Sequence, residues 1–170
     1  MDSQTTSMIT RFIVMGVSGC GKSSIGAGFA QVAGATFIDG DDLHPLANIE
    51  KMAAGRPLND ADRAPWLAQV GKTFATHRGG LVIGCSALKR SYRDIIRKHA
   101  GGPVAFLHLS GSRDVIAHRM ASRADHFMPL ALLDSQFADL EAPEADEISV
   151  TVDIDQSPTA IIDAFGKQIL

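Results

Sequence analysis

Cysteine is scarce in this sequence. Only Cys20 and Cys85 occur in 170 residues, which argues against a disulfide framework and against a zinc site. No apolar run approaches the ~20 residues that a membrane-spanning helix needs. Basic residues are not in excess: 16 Lys and Arg stand against 19 Asp and Glu, a formal net charge of -3. The chain as a whole therefore does not look like a nucleic-acid binder. Residues 1–10 are polar and include Asp2, unlike a basic stretch leading into a long apolar one. They read as a flexible tail. Internal repeats and low-complexity segments are lacking as well. These absences leave one soluble domain over 1–170, with no membrane or nucleic-acid partner, suited to a reducing cytoplasm. Hydrophobic content of 45% and charged content of 21% are ordinary for such a domain.

What the chain does have is a loop. Gly16-Val17-Ser18-Gly19-Cys20-Gly21-Lys22-Ser23 is G-x-x-x-x-G-K-[ST], the phosphate-binding P-loop pattern. Before it, Arg11 to Met15 is an apolar run of strand length. After it, from Ser24 onward, Ile25, Phe29 and Val32 recur at helical spacing. The glycines let successive N–H groups turn inward, and the helix adds the positive end of its dipole. Lys22 is expected to reach the β- and γ-phosphates of a nucleotide, and the Ser23 hydroxyl to ligate Mg²⁺. Cys20 stands at this helix N-terminus, an environment that can lower a thiol pKa. A small tolerated residue is the other reading of it.

The rest alternates. Strands are expected near 11–15, 35–39, 81–85, 104–109 and 148–152. Helices are expected near 24–33, 42–54, 60–76, 89–99, 113–122, 130–140 and 158–168. Such alternation implies an α/β fold with a parallel sheet covered on both faces. Trp66 and Phe74 fit a core-facing helical stripe.

Several charged residues fall near strand ends, where parallel sheets bind ligands. Asp39, Asp41 and Asp42 end the second strand. Phosphoryl transfer to a hydroxyl needs a carboxylate to orient it and accept its proton. An acidic turn with Asp42 as a helix cap explains the same residues. Lys89, Arg93 and Arg97 share a helix face after the third strand, either to hold an anionic substrate or as a solvated basic face. Arg119 and Arg123 are four apart and precede a stretch that breaks helical patterning. They could close over phosphates or be ordinary surface arginines. His44 and His126 alone carry little weight.

Some nucleotide-protein signatures are missing. A guanine-specific N-K-x-D is absent, against a GTPase switch. Leu109-Ser110-Gly111-Ser112 only faintly echoes a transporter-ATPase signature. The third strand ends on Cys85 rather than an acid, so Asp39 is the likelier magnesium partner.

Taken together, the blocks GVSGCGKSS (16–24), DGDDLHP (39–45), NIEKMAAGRPLNDADRAPWL (48–67), CSALKRSYRD (85–94) and HFMPLALLDSQFADLE (126–141) resemble the P-loop gluconokinases, relatives of shikimate and adenylate kinases. The resemblance runs from Phe12 to about Asp155. It implies a three-layer αβα P-loop kinase fold with a five-stranded parallel sheet, a substrate-capping insertion near 42–79 and a lid near 123–131. It implies ATP-dependent phosphorylation of D-gluconate on its terminal hydroxyl to 6-phosphogluconate, in the cytoplasm, often by a homodimer. By this similarity Gly16 through Ser24 hold the nucleotide, and Lys22, Asp41 and Arg123 are catalytic. Asp41 faces the substrate hydroxyl, and Ser23 and Asp39 face magnesium. His44, Arg63, Lys89, Arg93 and His126 fall in the substrate pocket. Arg119 and Arg123 resemble adenine-side and lid arginines, and the loop holding Gln156 and Pro158 resembles one that packs on adenine. A kinase for another small acid or a nucleotide is the nearest alternative. A nucleotide-dependent switch is the more distant one.

Overall fold

A computed structural model describes residues 8–121 and 130–170 of the chain. Most of the tail expected over 1–10, and most of the lid expected near 123–131, lie outside the described residues. Five strands form one sheet: β1 (Arg11–Met15), β2 (Thr36–Asp39), β3 (Leu81–Gly84), β4 (Ala105–Ser110) and β5 (Ser149–Asp153). Their order is β2-β3-β1-β4-β5 and every pairing is parallel. The helices are α1 (Lys22–Ala33), α2 (Leu46–Ala53), α3 (Asp60–Thr76), α4 (Arg90–His99), α5 (Arg113–Ala121), α6 (Leu130–Asp139) and α7 (Pro158–Ile169).

Side-chain alternation along the strands builds two cores. Phe12 and Val14 of β1 join Phe29 of α1 and Phe165 of α7 on one face. Ile13 and Met15 join Trp66, Leu67, Val70 and Phe74 of α3 on the other. Phe29 meets the rings of Phe12 and Phe165 edge-on, with centroids 5.1 and 6.4 Å away. Both faces are thus covered, which is why β1 and β3 are almost wholly apolar. Gly71 lets α3 and α4 close on each other: a Cβ there would lie 2.6 Å from the Ile96 carbonyl oxygen.

The stretch expected as one helix over 42–54 is split. A 3-10 turn covers Gly40–Leu43, and α2 starts only at Leu46. Pro45 is the reason, because it excludes helical backbone at the residue before it, and His44 is extended at φ -65 and ψ 137. The segment expected as a cap is likewise divided. One face of α3, with Trp66, Leu67, Val70 and Phe74, belongs to the core, whereas Leu46, Ile49 and Met52 of α2 are exposed.

α3 opens on a capping box. The Asn59 side chain accepts the Asp62 N–H at 2.8 Å, and Asp62 accepts the Asn59 N–H at 2.9 Å. Lys51 of α2 then pairs with Asp62 at 2.5 Å. Strand order places the carboxyl end of β3 between those of β1 and β2. The crevice at that end holds the candidate site.

Candidate active site

The P-loop joins β1 to α1. Gly16, Gly19 and Gly21 have φ of 151, 81 and 97, conformations that side-chain-bearing residues rarely adopt. The Lys22 ammonium folds back over the loop and donates to the Gly16 and Val17 carbonyls, each at 3.1 Å. Ser24 is exposed on the first turn of α1. Cys20 differs from the expectation of an activated thiol. It is 1% exposed, and a Cβ on Gly16 would lie 2.7 Å from its sulfur. Burial raises its pKa, outweighing the Lys22 charge and the backbone N–H groups that lower it. Its backbone belongs to the loop while its thiol belongs to the core.

β2 delivers the acids. Asp39 accepts the Asp41 N–H at 3.0 Å, and its other oxygen lies 3.5 Å from the Ser23 hydroxyl. The two residues expected near magnesium therefore face each other. Among the described residues no cluster of three or more His, Cys, Asp or Glu could hold a metal. Asp41 touches solvent inside the crevice, but the surrounding walls strip enough hydration to raise its pKa. The Asp39 charge raises it further, against Lys22 and His44. Trp66 positions this turn, donating its indole N–H to the Gly40 carbonyl at 2.8 Å. His44 stacks on Trp66, with centroids 4.1 Å apart and planes 15° from parallel. Burial lowers the His44 pKa, and Arg63 adds to this against Asp41.

The far wall comes from α3 and α4. Tyr92 donates its hydroxyl to Asp60 at 2.5 Å and accepts from Arg63 at 3.2 Å. Arg63 and Lys89 each lie 5.6 Å from the Tyr92 ring centroid, within cation–π range. Lys89 also pairs with Asp60 at 3.5 Å. The Tyr92 hydrogen bond, with Lys89 and Arg63, lowers the Asp60 pKa against partial desolvation. Arg63 and Lys89, about 30% exposed at the side chain, thus sit together on Tyr92 and in reach of solvent.

Arg93 departs from its expected place in the substrate pocket. It is 0% exposed. Its guanidinium grips Glu147 at 2.7 and 3.2 Å and the Ala87 and Leu88 carbonyls at 2.9 and 3.3 Å. Arg97 adds a 2.8 Å bond to the same carboxylate. Burial alone would raise the Glu147 pKa, but bonds from Arg93, the Glu144 N–H and Arg97 bring it down to about 2. These two arginines form neither a solvated face nor a substrate clamp. They lock α4 to the segment before β5. Only Lys89, just ahead of α4, joins the crevice wall. One of the two carbonyls that Arg93 holds belongs to Ala87, whose φ of 46 is left-handed.

At the opposite end, Arg119 donates to the Ile154 carbonyl, next to the loop that carries Gln156 and Pro158. Gln156 donates to Asp153 at 2.7 Å, and Pro158 is the first residue of α7. Arg123 and His126 lie outside the described residues.

The profile of an AAA-domain family matches residues 12–143. The thermosensitive gluconokinase of Escherichia coli is 47% identical over 165 residues, covering 94% of this chain and 87% of that protein. The crystal structure of a gluconokinase from Sinorhizobium meliloti superimposes with a TM-score of 0.84 at 47% identity, over 94% of this chain and 93% of that one. The chain belongs to the gluconokinase family. Shikimate kinase from Aquifex aeolicus, 14% identical with a TM-score of 0.60 over 93% of this chain and 94% of that one, shares the fold.

Sequence reasoning missed several residues of this gluconokinase-family site. Neither Asp60 nor Tyr92 carries a site signal of its own in the sequence. Trp66 read as core, which it is, but its N–H and its stacking on His44 also hold the acidic turn. Gln136 lies in one of the blocks that carry the resemblance, but no sequence signal assigned it a role, although its side chain bonds the P-loop at Ser18.

Proposed function

We propose that this kinase transfers the γ-phosphoryl group of ATP to the terminal hydroxyl of D-gluconate, giving ADP and 6-phospho-D-gluconate. One observation carries the reading: Lys22, Ser23 and Asp39 face the same crevice as Asp41, and Arg63 and Lys89 share its far wall. In this reading Lys22 leaves the Gly16 and Val17 carbonyls for the phosphates. The loop amides and the α1 N-terminus hold the remaining negative charge. Asp41 orients the acceptor hydroxyl and takes its proton as the new O–P bond forms and the bond to ADP breaks. Its raised pKa makes it a stronger base than an ordinary aspartate. Arg63 offers a two-pronged match to the gluconate carboxylate and Lys89 a point charge. His44, neutral and stacked on Trp66, lines the acceptor side.

Ser23 and Asp39 offer hard oxygen donors that suit Mg²⁺. The ion, when bound, neutralises charge on the β- and γ-oxygens. Arg119, Gln156 and Pro158 are assigned to the adenine side. With Arg119 on the adenine side, Arg123 is assigned to the lid; His126 is assigned to the substrate pocket, and a cytoplasmic setting and a homodimer are assigned, on family resemblance. The cap is assigned to the 3-10 turn, α2 and the first turn of α3.

A coupled ADP-release assay over gluconate, glucose, shikimate and nucleoside monophosphates tests this. ATP consumption only when gluconate is added is the expected result. Consumption with no acceptor would point to a switch, and preference for another acceptor would reassign the substrate.

A further inference from the structure

Gln136 stands on α6, 118 residues from Ser18 in sequence. Its Oε1 accepts the Ser18 N–H at 2.7 Å, and its Nε2 donates to Ser18 Oγ at 3.0 Å. A backbone N–H can only donate, so the amide oxygen must face it. The same peptide unit is held from its other end, because the Val17 carbonyl accepts from Lys22 at 3.1 Å. In a planar trans peptide the C=O and N–H point in opposite directions. Gripping both therefore stops the Val17–Ser18 plane from rotating.

Two of the three donors of the Lys22 ammonium are spent on the Gly16 and Val17 carbonyls, so turning to a phosphate weakens its hold on them. We propose that Gln136 is a positioning residue for phosphoryl transfer, holding the Val17–Ser18 peptide in place once Lys22 moves to the nucleotide. The inference rests on the ATP-dependent reading above. Without this grip the plane can turn and take the Ser18 N–H and the Val17 carbonyl out of their places in the loop. A rotating peptide would also disturb the neighbouring loop amides.

The helix that carries Gln136 is itself fastened. Leu133 is fully buried in the core. Asp134 pairs with Arg113 of α5. Just past α6, Glu141 donates its N–H to the Leu88 carbonyl at 2.8 Å and accepts the Arg90 N–H at 2.7 Å. Gln136 thus works from a fixed base.

Steady-state kinetics and thermal melts of Gln136→Met, Gln136→Glu and Ser18→Ala test the role, with wild type and Lys22→Ala alongside. Methionine keeps length and helix propensity while removing both bonds. Gln136→Met is expected to lower kcat/KM for ATP about tenfold, the loss of a pair of neutral hydrogen bonds. KM for gluconate should stay within about twofold and Tm within a few degrees. Glutamate keeps the acceptor for the Ser18 N–H, so Gln136→Glu should recover part of the loss. Ser18→Ala, which keeps the amide bond, should be milder than Gln136→Met. If Gln136→Met leaves kcat/KM for ATP within twofold, the role is overturned. It is equally overturned if ATP and gluconate parameters fall together with a large drop in Tm, the mark of a purely structural residue. Wild type without gluconate-dependent ADP release, or Lys22→Ala with normal turnover, would overturn the proposed function and this inference with it.

Discussion

The two sides of the crevice are made of different materials. The phosphate side is mostly backbone: three glycines with positive φ, a helix N-terminus, one lysine and one serine. All of it lies within eight consecutive residues, 16–23. The acceptor side is mostly side chains drawn from separate segments. Asp41 and His44 come from the turn after β2, Arg63 from α3, and Lys89 and Tyr92 from the start of α4. A backbone cradle needs little beyond its local turn and can be written into a short motif. A side-chain pocket depends on how helices dock, so its residues take their roles from neighbours far away in sequence. Arg63 and Arg93 show the consequence. Both are arginines expected near the acceptor. One faces the crevice beside Tyr92, and the other is saturated by Glu147 and two carbonyls.

The largest effects should come from the charges at the reacting centre. Asp41→Asn keeps size but loses the proton acceptor, and kcat should fall about 10²–10⁴-fold. Lys22→Ala should lose on the order of 10²-fold or more, as other preorganised donors do. Both should keep their circular dichroism spectra. Near-normal turnover in either folded variant would dissolve the assignment of that side.

The two arginines should then separate by readout. Arg93→Ala strips the buried Glu147 of its two-pronged partner and leaves it the bonds from Arg97 and the Glu144 N–H, a cost of up to roughly 3–5 kcal/mol, visible as a Tm lower by about 10 °C. Arg63→Ala removes a charge-assisted contact from a half-exposed site. It should raise KM for gluconate about tenfold to a hundredfold, with KM for ATP and Tm nearly unchanged. The reverse pattern, stability loss at Arg63 and substrate loss at Arg93, would break the comparison.

The pH profile sharpens it on the acid limb. Asp41 works ionised, and its pKa is raised by burial and Asp39. Activity should therefore fall, as pH drops, at a higher pH than an ordinary aspartate would dictate. Asp39→Asn, which removes a charge that raises the Asp41 pKa, should shift that limb to lower pH. A limb at the ordinary aspartate value in wild type would remove Asp41 from the role.

A smaller, structural effect lies beneath the sheet's acceptor-side face. His108 on β4 is 4% exposed, both of its ring nitrogens lack hydrogen-bond partners among the described residues, and burial with the Arg93 charge lowers its pKa to about 4. Between the ordinary histidine value and about 4 the unfolded chain binds the proton and the folded chain does not. Stability should therefore decline as pH falls through that window, by up to about 3 kcal/mol. Urea titrations of wild type and His108→Leu at stepped pH check this. Parallel curves for the two would remove His108 as the cause.

The alternation of apolar strands and amphipathic helices was legible along the whole described chain, and five expected strands correspond to five observed. Hydrophobic periodicity is a local property, so burial on one face or two follows from it. The P-loop was legible for the same reason, since its glycines, Lys22 and Ser23 are chemically committed by their spacing. The break at His44–Pro45 is local as well, since Pro45 alone dictates the backbone before it.

Tertiary structure alone decided the rest. Arg93 meets an acid 54 residues away, and no spacing rule announces such a partner. Cys20 shares its loop with phosphate-binding amides, yet its thiol faces inward and burial outweighs the helix dipole. Asp60 and Tyr92 enter the site only because α3 and α4 pack together, and Gln136 reaches Ser18 only because α6 docks beside the loop. Sequence by itself determined where the backbone turns and which faces are apolar, because those depend on neighbours within a few residues. Which charged side chains remain available to a ligand depends on who neutralises them, and that is decided only when distant segments meet.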